Sequence, residues 1–197
     1  MPAARSPQLE LALVNPARGV GSGGVIVTRV LKSHRSCKRT LEKVHYVLRY
    51  FPELAGAKLK VGLTRAASGM AVPGGNEIWL NPHRVSHHTI SHELVHLLQR
   101  TAIGVPQGER SCDVYSLARH WTLNDVVPSY VELPARLAAL DGTLPAAAAR
   151  LVYETAVEAL EHRHDGMRRY ISWFEERLRT AVSSRPSPDA ATPSAFR

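Results

Sequence analysis

Cysteine is scarce, long apolar runs are missing, and acidic residues are outnumbered. Each shortage removes a class of protein. Two cysteines in 197 residues, Cys37 and Cys112, make neither a disulfide framework nor a four-thiolate metal site. No stretch of about eighteen apolar residues occurs, which argues against a membrane span. The N-terminus lacks an apolar core followed by a cleavage site, so it does not read as a secretory signal. The expectation is a cytoplasmic protein without a membrane partner.

The deficit of acid is 17 Asp and Glu against 25 Lys and Arg, a net charge of +8. Such a balance admits a nucleic acid or another acidic surface as partner. Its densest cluster is Lys32, Arg35, Lys38 and Arg39, with His34 among them. No recognisable nucleic-acid module accompanies the charge, and a solvated helix face accounts for it. A nucleic-acid partner is therefore allowed and not favoured.

What is present is ordinary for one globular domain: 44% hydrophobic and 21% charged residues, with enough chain for one core. Residues 1–24 are rich in Pro, Gly and Ser and read as a flexible arm. Residues 181–197 have the same character and read as a disordered tail. The interval 25–180 is then a single domain, without internal repeats. Val25–Val30 fits a short strand or a helix start. Apolar residues at helical spacing predict a helix from Lys38 to Tyr50, stopped by Pro52. Leu59–Leu63 and Glu77–Asn81 read as strands, the second introduced by the turn Pro73-Gly-Gly-Asn76. Ser86 can cap a helix running to about Arg100. Further helices are expected over Glu109–Trp121, Ala146–His162 and Met167–Arg179. The architecture is α+β, a small mixed sheet packed on one helix and a helical C-terminal half.

The chemistry lies in Ile90-Ser-His-Glu-Leu-Val-His-Leu-Leu98. Residues four apart on a helix share a face, so His92 and His96 can reach one metal ion. Imidazoles suit zinc, and Glu93 beside the first of them can act as general base toward a zinc-activated water. A metzincin would require Gly at position 99 and His at 102, where this chain has Gln99 and Ala102. A third ligand must come from elsewhere. Glu109 and Asp113, four apart on the next helix, share a face as the histidines do. One carboxylate can bind zinc while the other holds a ligand histidine in orientation.

His92-Glu-Leu-Val-His96 followed by Glu109-x-x-x-Asp113 resembles the gluzincin zinc peptidases, and the short chain resembles their smallest members, the minigluzincins. The resemblance covers about residues 58–121. It implies a zincin-like fold and a peptide or protein substrate hydrolysed with one Zn2+. It makes His92, His96 and Glu109 the zinc ligands, Glu93 the general base, and Asp113 the partner of His92, with Asp113 the alternative ligand. It also implies that Glu77, Ile78, Trp79, Leu80 and Asn81 form the rim of the cleft, to whose edge a peptide adds as an antiparallel strand. Tyr130, in a proline-bounded loop, is the candidate donor to the oxyanion; Tyr115 faces away from Glu109.

Cys112 reads as a small buried side chain, and His120 as too distant for a ligand. His83, His87 and His88 read as capping or exposed, and Tyr170, Trp173 and Phe174 as core. Two rivals remain. One is a DNA-associated protease of the SprT type, which would want a third histidine where Glu109 stands. The other is a non-catalytic zinc-binding scaffold, which has no use for a base at Glu93.

Overall fold

The computed structural model describes residues 24–99 and 104–184. Residues 1–23 of the expected arm and 185–197 of the expected tail lie outside the described residues. The element order is β1 (Val25–Val27), α1 (Arg29–Lys32), α2 (Cys37–Leu48), β2 (Leu59–Leu63), β3 (Gly69–Ala71), β4 (Glu77–Leu80), α3 (His87–Leu98), α4 (Glu109–Leu117), α5 (Ala146–His164) and α6 (Tyr170–Ser183). The fold is α+β, and no helix among the described residues is long and apolar enough to cross a membrane.

The sheet runs in the order β1-β2-β4-β3. β1, β2 and β4 are parallel, and β3 lies antiparallel along the outer side of β4. Leu59, Val61, Ile78 and Leu80 point to one face and are buried against Val44 and Val47 of α2 and Ile90, Leu94 and Leu98 of α3. This alternation is the period of two that a half-buried strand needs. On the other face Trp79 lies across Gly62, where a Cβ would meet ring carbons at 2.7–2.9 Å. Glycine is therefore the residue that lets the indole lie flat on β2.

A second apolar cluster joins α4, α5 and α6 through Val114, Leu117, Val152, Ala156, Phe174 and Leu178. α4 belongs to both cores, because Cys112 and Tyr115 face the first while Val114 and Leu117 face the second.

Several boundaries differ from the sequence reading. Val25–Val30 holds both a strand and the start of α1. α4 stops at Leu117, where the buried Asn124 side chain donates to the Leu117 carbonyl at 3.1 Å. Residues 124–145 form a long loop, broken by Pro128, Pro134 and Pro145 and holding one short 3-10 turn, Ala135–Leu137. α6 begins at Tyr170 and continues to Ser183, past the expected start of the tail.

The N-terminus of α3 is capped twice. Ser86 Oγ accepts from the Thr89 N–H at 2.9 Å. The Asp125 carboxylate, delivered from the long loop, accepts from the N–H groups of His87 and His88 at 2.9 and 3.0 Å. It also lies 3.0 Å from His87 Nδ1. Burial alone would raise the Asp125 pKa, but the His87 ring and the two N–H groups outweigh it and hold the carboxyl below its ordinary 3.8. Because the folded pKa is the lower one, the group stabilises the fold above pH 3.8 and loses that contribution as pH falls through the folded value. Asp125→Ala should therefore cost about 1 kcal/mol near neutrality, and the gap should close in acid. Denaturant titrations at several pH values check this, and a gap independent of pH contradicts it.

Candidate metal centre

α3 carries His88, His92 and His96 at intervals of four, and α4 crosses it carrying Glu109 and Asp113. The two helices bring three of these side chains to one point. Glu109 Oε2 lies 2.9 Å from His92 Nε2 and 3.1 Å from His96 Nε2. On the far side of the first ring, His92 Nδ1 donates to Asp113 Oδ1 at 2.7 Å.

Asp113 is 1% exposed, and every oxygen is engaged. Oδ1 also receives His88 Nε2 at 3.3 Å, and Oδ2 accepts from the backbone N–H groups of Tyr130 and Val131 at 2.7 and 3.2 Å. Burial by itself would raise its pKa, but the hydrogen bonds from His88 and His92 hold it far below the usual carboxylate range. The same bond acts on His92. Burial lowers its pKa, Asp113 raises it, and the net shift is upward.

His96 is held from its other nitrogen. Gln99 Oε1 accepts from His96 Nδ1 at 3.0 Å, and the amide orientation follows from Gln99 Nε2 donating to the Gly108 carbonyl at 3.2 Å. Both rings thus commit Nδ1 to an outer acceptor and turn Nε2 inward toward Glu109. Two ring nitrogens facing one carboxylate oxygen within about 3 Å are satisfied by protons on the rings or by a cation that takes the protons' place. The donor set, two imidazoles and one carboxylate, fits a divalent metal ion.

The groups His92, His96, Cys112 and His88, His92, Asp113 could each hold a metal ion as well. Both are less suited. Cys112 Sγ lies 3.2 Å from His96 Nδ1, behind the ring rather than before it. Burial, then the charges of Glu109 and Asp113, push its thiol pKa up and disfavour the thiolate. The second group would take His92 Nδ1 away from Asp113.

Glu93 is buried beside the centre, 7% exposed. Burial raises its pKa against the pull of His92 and His96 and of a hydrogen bond from the Ala71 N–H. β3 reaches it because Gly69 has no side chain: a Cβ there would meet Thr89 Cγ2 at 2.8 Å and Glu93 Cγ and Oε1 at 2.9 Å.

The cleft beside these groups encloses about 720 Å³, and β3 forms one of its walls. The expected rim, Glu77–Asn81, does not. β4 is paired on both sides, by β2 and by β3, so it offers no edge, and none of its residues lines the cleft. Short Gly-Met-Ala gave no strand signal, and the turn before β4 hid a hairpin. Val72 and Ser68 bond to Glu77 and Asn81, so Gly69 and Ala71 between them turn their backbone groups to the outer edge, where the Ala71 N–H already meets Glu93.

Tyr130 lines the cleft, half-exposed, its ring stacked on His92 at 5.5 Å between centroids. Its backbone supports Asp113 directly. Tyr115 is buried elsewhere and does not line the cleft. His120 caps the 3-10 turn Trp121–Leu123 and stacks on Tyr50. His83 meets His34 edge to face, and His87 pairs with Asp125. Tyr170 and Phe174 are core, with Trp173 packed against them.

Two participants were missed by the sequence reading. His88 is buried against Asp113 rather than capping or exposed, and its spacing of four from His92 was the available signal. Gln99 carries no such signal, since its role depends on the loop that Gly108 closes. No protein-family model matches the chain, and no curated protein or solved structure matches it.

Asp113→Ala removes the acceptor of four donors at once. A buried network broken from one side costs about 3 kcal/mol. The denaturation midpoint should fall accordingly, and an unchanged midpoint would show that Asp113 does not hold the two helices together.

Proposed function

We propose that the chain is a zinc-dependent metallopeptidase of gluzincin type, in which His92, His96 and Glu109 hold one Zn2+ and Glu93 is the general base. The observation that carries the reading is the meeting of both Nε2 atoms on one Glu109 oxygen, with Glu93 buried alongside. A small mixed sheet packed on the helix that bears these residues accords with a zincin-like fold. Zinc bound there would polarise the scissile carbonyl and acidify a water molecule.

The remaining work belongs to the chain's own side chains. Glu93, with its pKa raised by burial, takes the proton of the attacking water and passes it to the leaving amine nitrogen. Asp113 and Gln99 fix the two imidazoles, so that neither ring must reorganise as charge develops. The free edge of β3 receives the substrate backbone as an added antiparallel strand. The Tyr130 hydroxyl, at the mouth of the cleft, donates to the developing oxyanion.

A non-catalytic zinc scaffold is the second reading, favoured by Cys112 lying 3.2 Å from His96. Its thiol meets the wrong ring nitrogen for a shared ion, and a buried carboxylate at Glu93 has no part in a closed structural site. The SprT-type reading lacks its third histidine: His88, the nearest described candidate, is turned to Asp113.

Glu93→Gln separates these readings. The variant should keep its zinc and lose cleavage of a generic peptide by about a thousandfold, within the range that general-base and electrostatic contributions reach. Cleavage retained in Glu93→Gln would sink the mechanism, and activity that appears only with added DNA would favour the SprT type.

A further inference from the structure

The acids lining the cleft are all engaged: Glu109 with the two imidazoles, Asp113 with its four donors, and Glu93 with the Ala71 N–H. Arg84 is different. It is the one Lys or Arg among the described residues lining the cleft, it is exposed, and its guanidinium has no hydrogen-bond or ion-pair partner among the described residues. A guanidinium on the wall of a cleft, left without an acceptor there, is a recognition group for a carboxylate, which it can bind with two parallel hydrogen bonds.

The topology says where along a substrate it acts. The Asn81 N–H donates to the Ser68 carbonyl at 2.9 Å, and the Arg84 N–H donates to the Asn81 carbonyl at 3.0 Å. Arg84 therefore stands at the Ser68 end of β3, and Val72 marks the other end. A peptide added antiparallel to β3 enters at Val72 and leaves past Ser68. Its residues after the scissile bond are the ones that pass Arg84. Thr89 lies against Gly69 at that end, and Val126 and Val127 add apolar surface to the lining of the same cleft.

We infer that Arg84 makes this cleft selective for a carboxylate on the C-terminal side of the cleaved bond, borne by a Glu or Asp side chain or by the chain terminus itself. The inference rests on the metallopeptidase reading for the chemistry, but not for the binding.

The test uses the zinc-loaded full chain and quenched peptides that differ only at the residue after the cut: Leu, Glu or Lys. Each is made with an amidated C-terminus, and a further set ends there in a free carboxylate. Mass spectrometry locates the cut. Wild type should favour Glu over Leu by about tenfold in kcat/KM, the scale of one charge-assisted hydrogen-bonded pair. Arg84→Ala should abolish the preference with the Leu peptide still cleaved, and Arg84→Glu should transfer it to Lys. A gain confined to the free terminus would name the chain end as the source of the carboxylate, and a gain with the amidated Glu peptide would name the side chain.

Fluorescence anisotropy of the same peptides on Glu93→Gln reads binding without turnover. If no peptide is cut but Glu is still bound better than Leu in an Arg84-dependent way, the peptidase reading fails and the carboxylate site stands. A preference that ignores residue 84, or one for acids before the cut, overturns the inference while leaving the peptidase reading intact.

Discussion

One buried carboxylate holds the centre in place. Asp113 carries a full charge at 1% exposure, and moving a carboxylate out of water costs several kcal/mol unless donors surround it. Four do so, from two parts of the chain: His88 and His92 on α3, and the backbone of Tyr130 and Val131 on the long loop. The charge thereby forces α3, α4 and that loop into one register. It also fixes the orientation of the His92 ring, which turns Nε2 toward Glu109.

The apolar packing makes that register stiff. α4 lies between two cores, with Cys112 and Tyr115 in one and Val114 and Leu117 in the other. Glu109 and Asp113 are therefore positioned by burial on both sides of their helix. α3 is anchored by its capped N-terminus, by Ile90, Leu94 and Leu98 against the sheet, and by Gln99 at its end. A site whose ligands project from helices held in this way keeps its geometry without help from the ion. β3 completes it at close range, since Gly69 alone permits the strand to touch Glu93.

Much of this was legible in the sequence, for identifiable reasons. His92, Glu93 and His96 sit on a strongly apolar helix whose period is unmistakable, and Glu109 with Asp113 repeats the spacing of four on the next. Strand β2 and the Ser86 cap follow from alternation and from capping chemistry. What could not be read depends on distant contacts. The third strand is three residues of Gly, Met and Ala, so only its pairing with β4 makes it a strand. The end of α4 is set by Asn124 from a later loop, and the role of Asp125 as a cap crosses 38 positions to His87. Assigning the rim to Glu77–Asn81 placed the cleft one strand too far inside the sheet, because a central strand and an edge strand look alike until the hairpin is seen.

The central claim is that two imidazoles and Glu109, not Cys112, make a metal site. Zinc content per chain after loading, in wild type beside Glu109→Ala and Cys112→Ala, tests it most directly. The account predicts about one zinc in wild type, as a single site with three protein ligands requires, loss of it in Glu109→Ala, and retention in Cys112→Ala. Zinc kept without Glu109 and lost without Cys112 would contradict the account.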